Sequence, residues 1–161
     1  MSTPIELTSA AFTPGGILAT NTAFTPCGGQ NRSPALAWRN VPRETKSFAL
    51  TVFDPDAPTG SGFYHWVVAN IPASVTSLPE NAWDGGMPDK AVQGIVDYGF
   101  SHYGGPCPPE GDPPHRYRFT IYALDIPEIP GAGPTLTGAV LVFSMRGHLL
   151  AQGTLEGRFG R

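Results

Sequence analysis

Ser47-Phe48-Ala49-Leu50-Thr51-Val52-Phe53, followed at once by Asp54-Pro55-Asp56-Ala57-Pro58, is the stretch whose reading decides the fold. Side chains along a strand alternate between its two faces. Phe48, Leu50 and Val52 therefore share one face, and Ala49, Thr51 and Phe53 the other. Both sets are largely apolar, which predicts a central strand covered on both sides. Pro55 and Pro58 carry no backbone N–H, so ladder pairing must stop there. Asp54 and Asp56 are thereby placed at a sheet edge, in a stiff turn. Asp and Pro also favour turns for purely local reasons, so this segment alone does not define a site.

Working outward, Tyr64–Ile71 is a second two-sided apolar run, and Arg116–Leu124 a third, with Tyr117, Phe119 and Ile121 on one face. Ile5–Thr8, Leu36–Trp38, Val92–Val96 and Thr154–Phe159 read as shorter strands. Many short strands separated by turn signals predict a mainly β protein, a β-sandwich of two antiparallel sheets. One helix is expected near the C-terminus. Leu136, Val140, Phe143, Gly147 and Leu150 make a helical stripe, Thr135 or Thr137 caps it, and Gly153 stops it. The 161 residues, with 20 Gly and 18 Pro and no internal repeat, suit one domain spanning residues 1–161.

A net charge of -3 argues against a nucleic-acid partner, which needs a basic footprint, and against attachment to an anionic membrane surface by charge. No run is long and apolar enough for integral membrane association. Met1–Glu6 lacks the basic and apolar start of a secretory signal, which predicts a cytoplasmic protein. Cys27 and Cys107 then read as free thiols. Asn31-Arg32-Ser33 fits the glycosylation pattern, which means nothing without secretion.

Three segments hold the candidate chemistry. The first is the Asp54–Pro58 turn. The second is Phe63-Tyr64-His65-Trp66, a histidine among aromatics entering a strand. The third is the loop from Asp97 to Pro114, whose Gly104-Gly105-Pro106-Cys107-Pro108-Pro109 run leads into His115-Arg116-Tyr117. A loop of that length in a compact domain is functional or disordered, and its prolines favour order. Taken singly, each piece has a plain structural explanation: a turn, a core histidine, an ordered loop.

Together, and in this order, they resemble the phosphatidylethanolamine-binding protein family, in its bacterial and archaeal Raf-kinase-inhibitor-like branch. The likeness extends to Ser33-Pro34-Ala35-Leu36-Ala37-Trp38 upstream, and to Tyr122-Ala123-Leu124-Asp125 and Gly147-His148-Leu149-Leu150-Ala151-Gln152 downstream. The resemblance implies a β-sandwich with a C-terminal helix and a small anion pocket. Asp54 would line that pocket with His65 beside it, Pro108 and Pro109 would form a wall, and His115 and Tyr117 would complete the rim. Asp56, Pro58, Gly105 and Cys107 would support it. Kinase inhibition is an activity of some relatives, although the C-terminal helix region differs from that of the animal members.

A pocket lined with Asp should repel phosphate. Protonated His65 and His115 would supply N–H donors, since histidine is the side chain that titrates near neutral pH. Backbone N–H groups of Gly104–Cys107 and the Tyr117 hydroxyl would add to them; the alternative is that Asp54 itself holds a proton and hydrogen-bonds the anion directly. Phe63, Trp66 and Tyr103 are candidates for an apolar rim. The expected function is a binding or regulatory protein for a small anionic or phosphorylated ligand: a phospholipid head group, a phosphorylated small molecule or a peptide. The alternative is an acid/base enzyme using Asp54 and His65, with Cys107 as nucleophile. No cofactor is expected. His65, His102, His115 and Asp54 lack metal-ligand spacing. Low charge content leaves room for a homodimer.

Overall fold

The computed structural model describes residues 4–161. Its chain order is β1 (Glu6–Thr8), β2 (Leu36–Arg39), β3 (Ser47–Asp54), β4 (Phe63–Pro72), β5 (Ser77–Leu78), β6 (Val92–Gln93), β7 (His115–Leu124), α1 (Gly138–Ser144) and β8 (Leu149–Phe159). All pairings between these strands are antiparallel. A three-stranded sheet runs β1-β2-β5, and a five-stranded sheet runs β6-β4-β3-β7-β8.

The apolar character of both faces of β3 is explained by its central place in the larger sheet. On the inner face Phe48, Leu50 and Val52 pack with Trp66, Phe119 and Ile121, and with Leu7, Leu36 and Trp38 of the smaller sheet. On the outer face Ala49 packs with Val67, Leu141 and Met145 under α1 and the loop bearing Ile129. β5 was not foreseen, because Ser77 and Leu78 are too short to show alternation.

The helix is shorter than expected. Thr137 caps it, its hydroxyl accepting from Val140 N–H at 3.1 Å. Gly147 adopts φ +82°, a left-handed turn beyond its end, and Leu149 already begins β8. The stripe of Val140, Phe143, Gly147 and Leu150 therefore spans a helix, a turn and a strand. Leu141 is the buried anchor, while Phe143 is 68% exposed. Gly153 ends nothing; it lies within β8, where a Cβ would collide with the Ile5 carbonyl. No helix among the described residues is long and apolar enough to cross a membrane.

The antiparallel order brings the distant segments together. Asp54 ends β3 opposite Phe63 at the start of β4, and Phe53 pairs with Arg118 near the start of β7. One end of the larger sheet thus collects the Asp54 turn, the His65 strand entry and the His115 strand entry.

Candidate functional site

A β-bulge decides where His65 points. Val52 pairs with Trp66, but Phe53 pairs with Tyr64, so His65 is the extra residue on β4. Strict alternation would put His65 on the face opposite Trp66. A bulge re-aims its residue, and the His65 ring lies 5.2 Å from that of Tyr117, nearly perpendicular to it. Asp54, His65, His115 and Tyr117 are all buried, at 2%, 3%, 3% and 1% exposure.

These residues line one cavity of about 220 Å³. All six expected ligand-contacting residues, Asp54, His65, Pro108, Pro109, His115 and Tyr117, face it, as do Pro58 and Cys107. Ala57, Thr59, Phe63 and Tyr98 complete the lining. Tyr98 escaped the sequence reading because a tyrosine early in an irregular loop carries no pattern. Trp66 and Tyr103 are core, packed on each other at 5.5 Å, so of the three rim candidates only Phe63 lines the cavity.

Asp56 and Gly105 stand behind the lining. Asp56 accepts from Arg116 N, Nε and Nη2 at 2.9, 3.0 and 2.8 Å, which fixes the turn against β7. Those bonds hold its carboxyl at about 2, below the ordinary range. Gly105 N–H donates to Asn31 Oδ1 at 2.7 Å, its carbonyl accepts from the Tyr98 hydroxyl at 2.8 Å, and a Cβ there would strike the Thr22 carbonyl. Asn31 also donates to the Tyr103 carbonyl at 2.9 Å. The residue that matched a glycosylation pattern is thus a buried clamp on the pocket loop.

The electrostatics differ from the expectation of two protonated histidines offering donors. Burial pushes the His65 ring down to about 4, and its bond to the Gly104 carbonyl and the Asp54 charge oppose this only in part. His65 is therefore neutral near pH 7. Its Nδ1–H donates to the Gly104 carbonyl at 2.7 Å, which leaves Nε2 as an acceptor. Burial also lowers His115, but hydrogen bonds to Asp112 and Asp54 outweigh it and leave the ring raised. Its Nδ1 meets Asp54 Oδ2 at 2.7 Å and its Nε2 meets Asp112 Oδ2 at 2.9 Å. Both ring N–H groups are spent on carboxylates, so none remains for a ligand.

Among the described residues, the donors of the cavity lining without a partner include the Tyr117 hydroxyl and the backbone N–H groups of Ala57 and Cys107. Burial and the Asp54 charge push the Tyr117 ionisation far up, so it keeps its proton. The Cys107 group belongs to the loop that walls the pocket. Within Gly104–Pro109, positions 106, 108 and 109 are proline, Gly104 N–H donates to the His65 carbonyl, and Gly105 N–H is taken by Asn31. Cys107 N–H remains, with no acceptor among the described residues.

Cys107 is not a thiol. It forms a disulfide with Cys27, with Cα atoms 5.6 Å apart and 80 positions between them in sequence. Free thiols were the wrong reading of two distant cysteines, since only the fold brings them into bonding range. The enzyme alternative loses its nucleophile with that bond. His102 is stacked between Trp83 and Phe100 at 4.4 and 4.0 Å, outside the cavity lining. Among the described residues no group of His, Cys, Asp and Glu is arranged to hold a metal ion.

Fold and site together define a β-sandwich protein with a small, aromatic-walled pocket at one end of its larger sheet. The chain belongs to the phosphatidylethanolamine-binding protein family, whose model matches residues 8–160. It is 46% identical over 151 residues to YbcL of Escherichia coli, covering 91% of this chain and 82% of that protein. It is also 46% identical over 133 residues to YbhB of the same organism, covering 81% and 83%. The crystal structure of YbcL superposes with a TM-score of 0.94 over 99% of both chains at 43% identity. A family member from Plasmodium vivax, at 17% identity and a TM-score of 0.60 over 96% of this chain and 85% of that one, shares the fold.

Proposed function

We propose that this chain is a binding protein whose pocket takes a small phosphate-bearing group: a phospholipid head group, a phosphorylated small molecule or a phosphorylated peptide. The observation that carries the reading is the unpartnered, buried Tyr117 hydroxyl in the same cavity as Asp54 and His65. A buried hydroxyl without a partner costs on the order of 1–3 kcal/mol, and a ligand acceptor removes that cost. Cys107 N–H is a second donor for an anion.

The proton that reconciles phosphate with Asp54 belongs to the ligand. His65 Nε2 and the Asp54 carboxylate are acceptors, and His115 is flanked by carboxylates on both sides. A phosphate monoester that keeps one proton can donate its P–OH to one of these acceptors while its other oxygens take Tyr117 and Cys107; a diester head group has no such proton and donates from its ammonium instead. The dianion has no proton to donate and meets an acidic wall. Phosphate esters lose that proton at a pH of about 6, so affinity falls as pH rises through this range. Titration of inorganic phosphate and phosphoethanolamine by NMR at pH 5.5 and pH 8 tests it. Tighter binding at pH 5.5 supports the reading, and equal affinity at the two values overturns it.

The disulfide also bears on location. Such bonds persist in oxidising compartments and are rare in the cytosol. The reading therefore places the working protein under oxidising conditions, in place of the reducing cytoplasm that free thiols implied.

A further inference from the structure

The loop that walls the pocket is fastened residue by residue, and Cys107 is the exception. Gly105 N–H is held by Asn31 at 2.7 Å and the Gly105 carbonyl by Tyr98 at 2.8 Å. The Pro106 carbonyl accepts from Phe24 N–H at 3.0 Å, and the Pro108 carbonyl accepts from Arg161 Nε at 2.8 Å. Neither the N–H nor the carbonyl of Cys107 has a hydrogen-bond partner among the described residues. Its flanking prolines contribute no N–H either. Its tether is the bond to Cys27, in a short 3-10 turn of Thr25–Cys27 closed by Gly28 at φ +91°. That turn is steadied from its other side by Phe24, which stacks on the pocket residue Tyr98 at 4.3 Å. Both cysteines are partly exposed, and Thr25, Pro26, Gly28 and Pro109 around them are exposed, so the bond lies near the surface and not in the packed core.

We propose that the Cys27–Cys107 disulfide is the positioning element of the pocket and makes ligand binding redox-dependent: oxidised, it holds the Cys107 N–H in place for the bound anion; reduced, it releases that donor. This rests on the phosphate reading of the same pocket. The reducing partner is a dithiol. One of its thiolates attacks a sulfur of the Cys27–Cys107 bond and expels the other as a thiolate, and its second thiol then resolves the mixed disulfide. Two electrons and two protons pass to the chain, which ends with two thiols, and the dithiol ends as its own internal disulfide. Release is local, because the neighbours on each side keep their hydrogen bonds.

The test uses the full chain in oxidised form, after reduction with dithiothreitol, and as Cys27→Ser, which leaves the backbone of residue 107 unchanged. Inorganic phosphate affinity is read by NMR titration; on the ligand-free protein the backbone order of residue 107 is read by 15N relaxation and the protection of Leu50 and Val67 by amide hydrogen exchange. Reduction and Cys27→Ser are each expected to weaken phosphate by about tenfold, the value of roughly one hydrogen bond to a charged group. Reoxidation restores the wild type, and reductant does not change Cys27→Ser. The order parameter of residue 107 falls on reduction, while Leu50 and Val67 in the sheet keep their protection. Equal affinity and equal order in the two redox states overturn the proposal. Loss of protection at Leu50 and Val67 on reduction also overturns it, because the bond is then a global staple. If the oxidised chain takes no phosphate, the ligand reading fails; a loss of order confined to residue 107 and its loop still supports the positioning role, and unchanged order there still rejects it.

Discussion

Midway along β3 and β4, Leu50, Val67, Val68 and Trp66 are fully buried, and Trp66 Nε1 donates to Gln93 at 2.9 Å. Toward one end of the same two strands, Asp54, and His65 immediately beside Trp66 in sequence, are buried almost as deeply, next to a hydroxyl with no partner. The middle of the sheet is apolar, or polar and satisfied. The pocket end is polar and only partly satisfied. Burial alone therefore does not separate core from site in this molecule, and neither does a missing partner, since Ser33 Oγ and Trp38 Nε1 are also buried without one; what marks the site is an unpartnered hydroxyl that faces a cavity beside buried Asp54 and His65.

Substitutions should divide along that line. The largest effect belongs to the middle. Trp66→Ala removes a fully buried side chain and is expected to cost about 3–5 kcal/mol in urea unfolding. A loss below about 1 kcal/mol would mean that the middle is not the packed region described. Asp54→Asn comes next, at roughly 2–3 kcal/mol, because it removes a charge facing buried His115. Asp56→Asn, at a partly exposed pair with Arg116, is expected to cost about 1 kcal/mol or less after solvent screening. Equal losses from the two substitutions would erase the distinction between a pocket aspartate and a turn aspartate.

The acid limb of stability gives a smaller effect with a defined sign. The folded value of His65 is about 4, below the 6.5 of an exposed ring, so the unfolded chain takes up a proton that the folded chain refuses. Stability from this group is complete above 6.5 and declines as pH falls toward about 4. His115 is raised and runs the other way: its contribution is present at low pH and is lost as pH rises through its folded value. Thermal unfolding of His65→Gln between pH 7 and pH 4 should show a flatter acid limb than the wild type. Identical limbs would place the cost elsewhere.

The smallest effect on stability is expected from Tyr117→Phe. The hydroxyl has no partner to lose, so unfolding should change by no more than about 1 kcal/mol, toward greater stability. Phosphate binding by the same variant should weaken by about tenfold. A clear loss of stability with unchanged binding would return Tyr117 to the core.

Much of this was legible in the sequence, for local reasons. β3, β4 and β7 showed as long two-sided apolar runs because each is buried on both faces along much of its length. The residues facing the cavity could be named because their motifs, taken together and in order, resemble those of the family; singly, each had a plain structural explanation. α1 was misjudged because a stripe cannot show where a left-handed Gly147 turns the chain into a strand. The protonation of the histidines was misjudged because a titration depends on burial and on partners from elsewhere in the chain.

The amino-acid order by itself marked the long strands, put β3 at the centre and left Asp54 and Asp56 in a stiff turn where its pairing ends, because alternation and proline are local properties of the chain; the meeting of the three polar segments was implied only by the family resemblance. Only the tertiary structure decided the rest. A one-residue bulge turned His65 to the inner face, Asp112 and Asp54 took both nitrogens of His115, and cysteines 80 positions apart came within bonding reach. Each of these depends on distances between segments far apart in sequence, and no local pattern encodes such a distance.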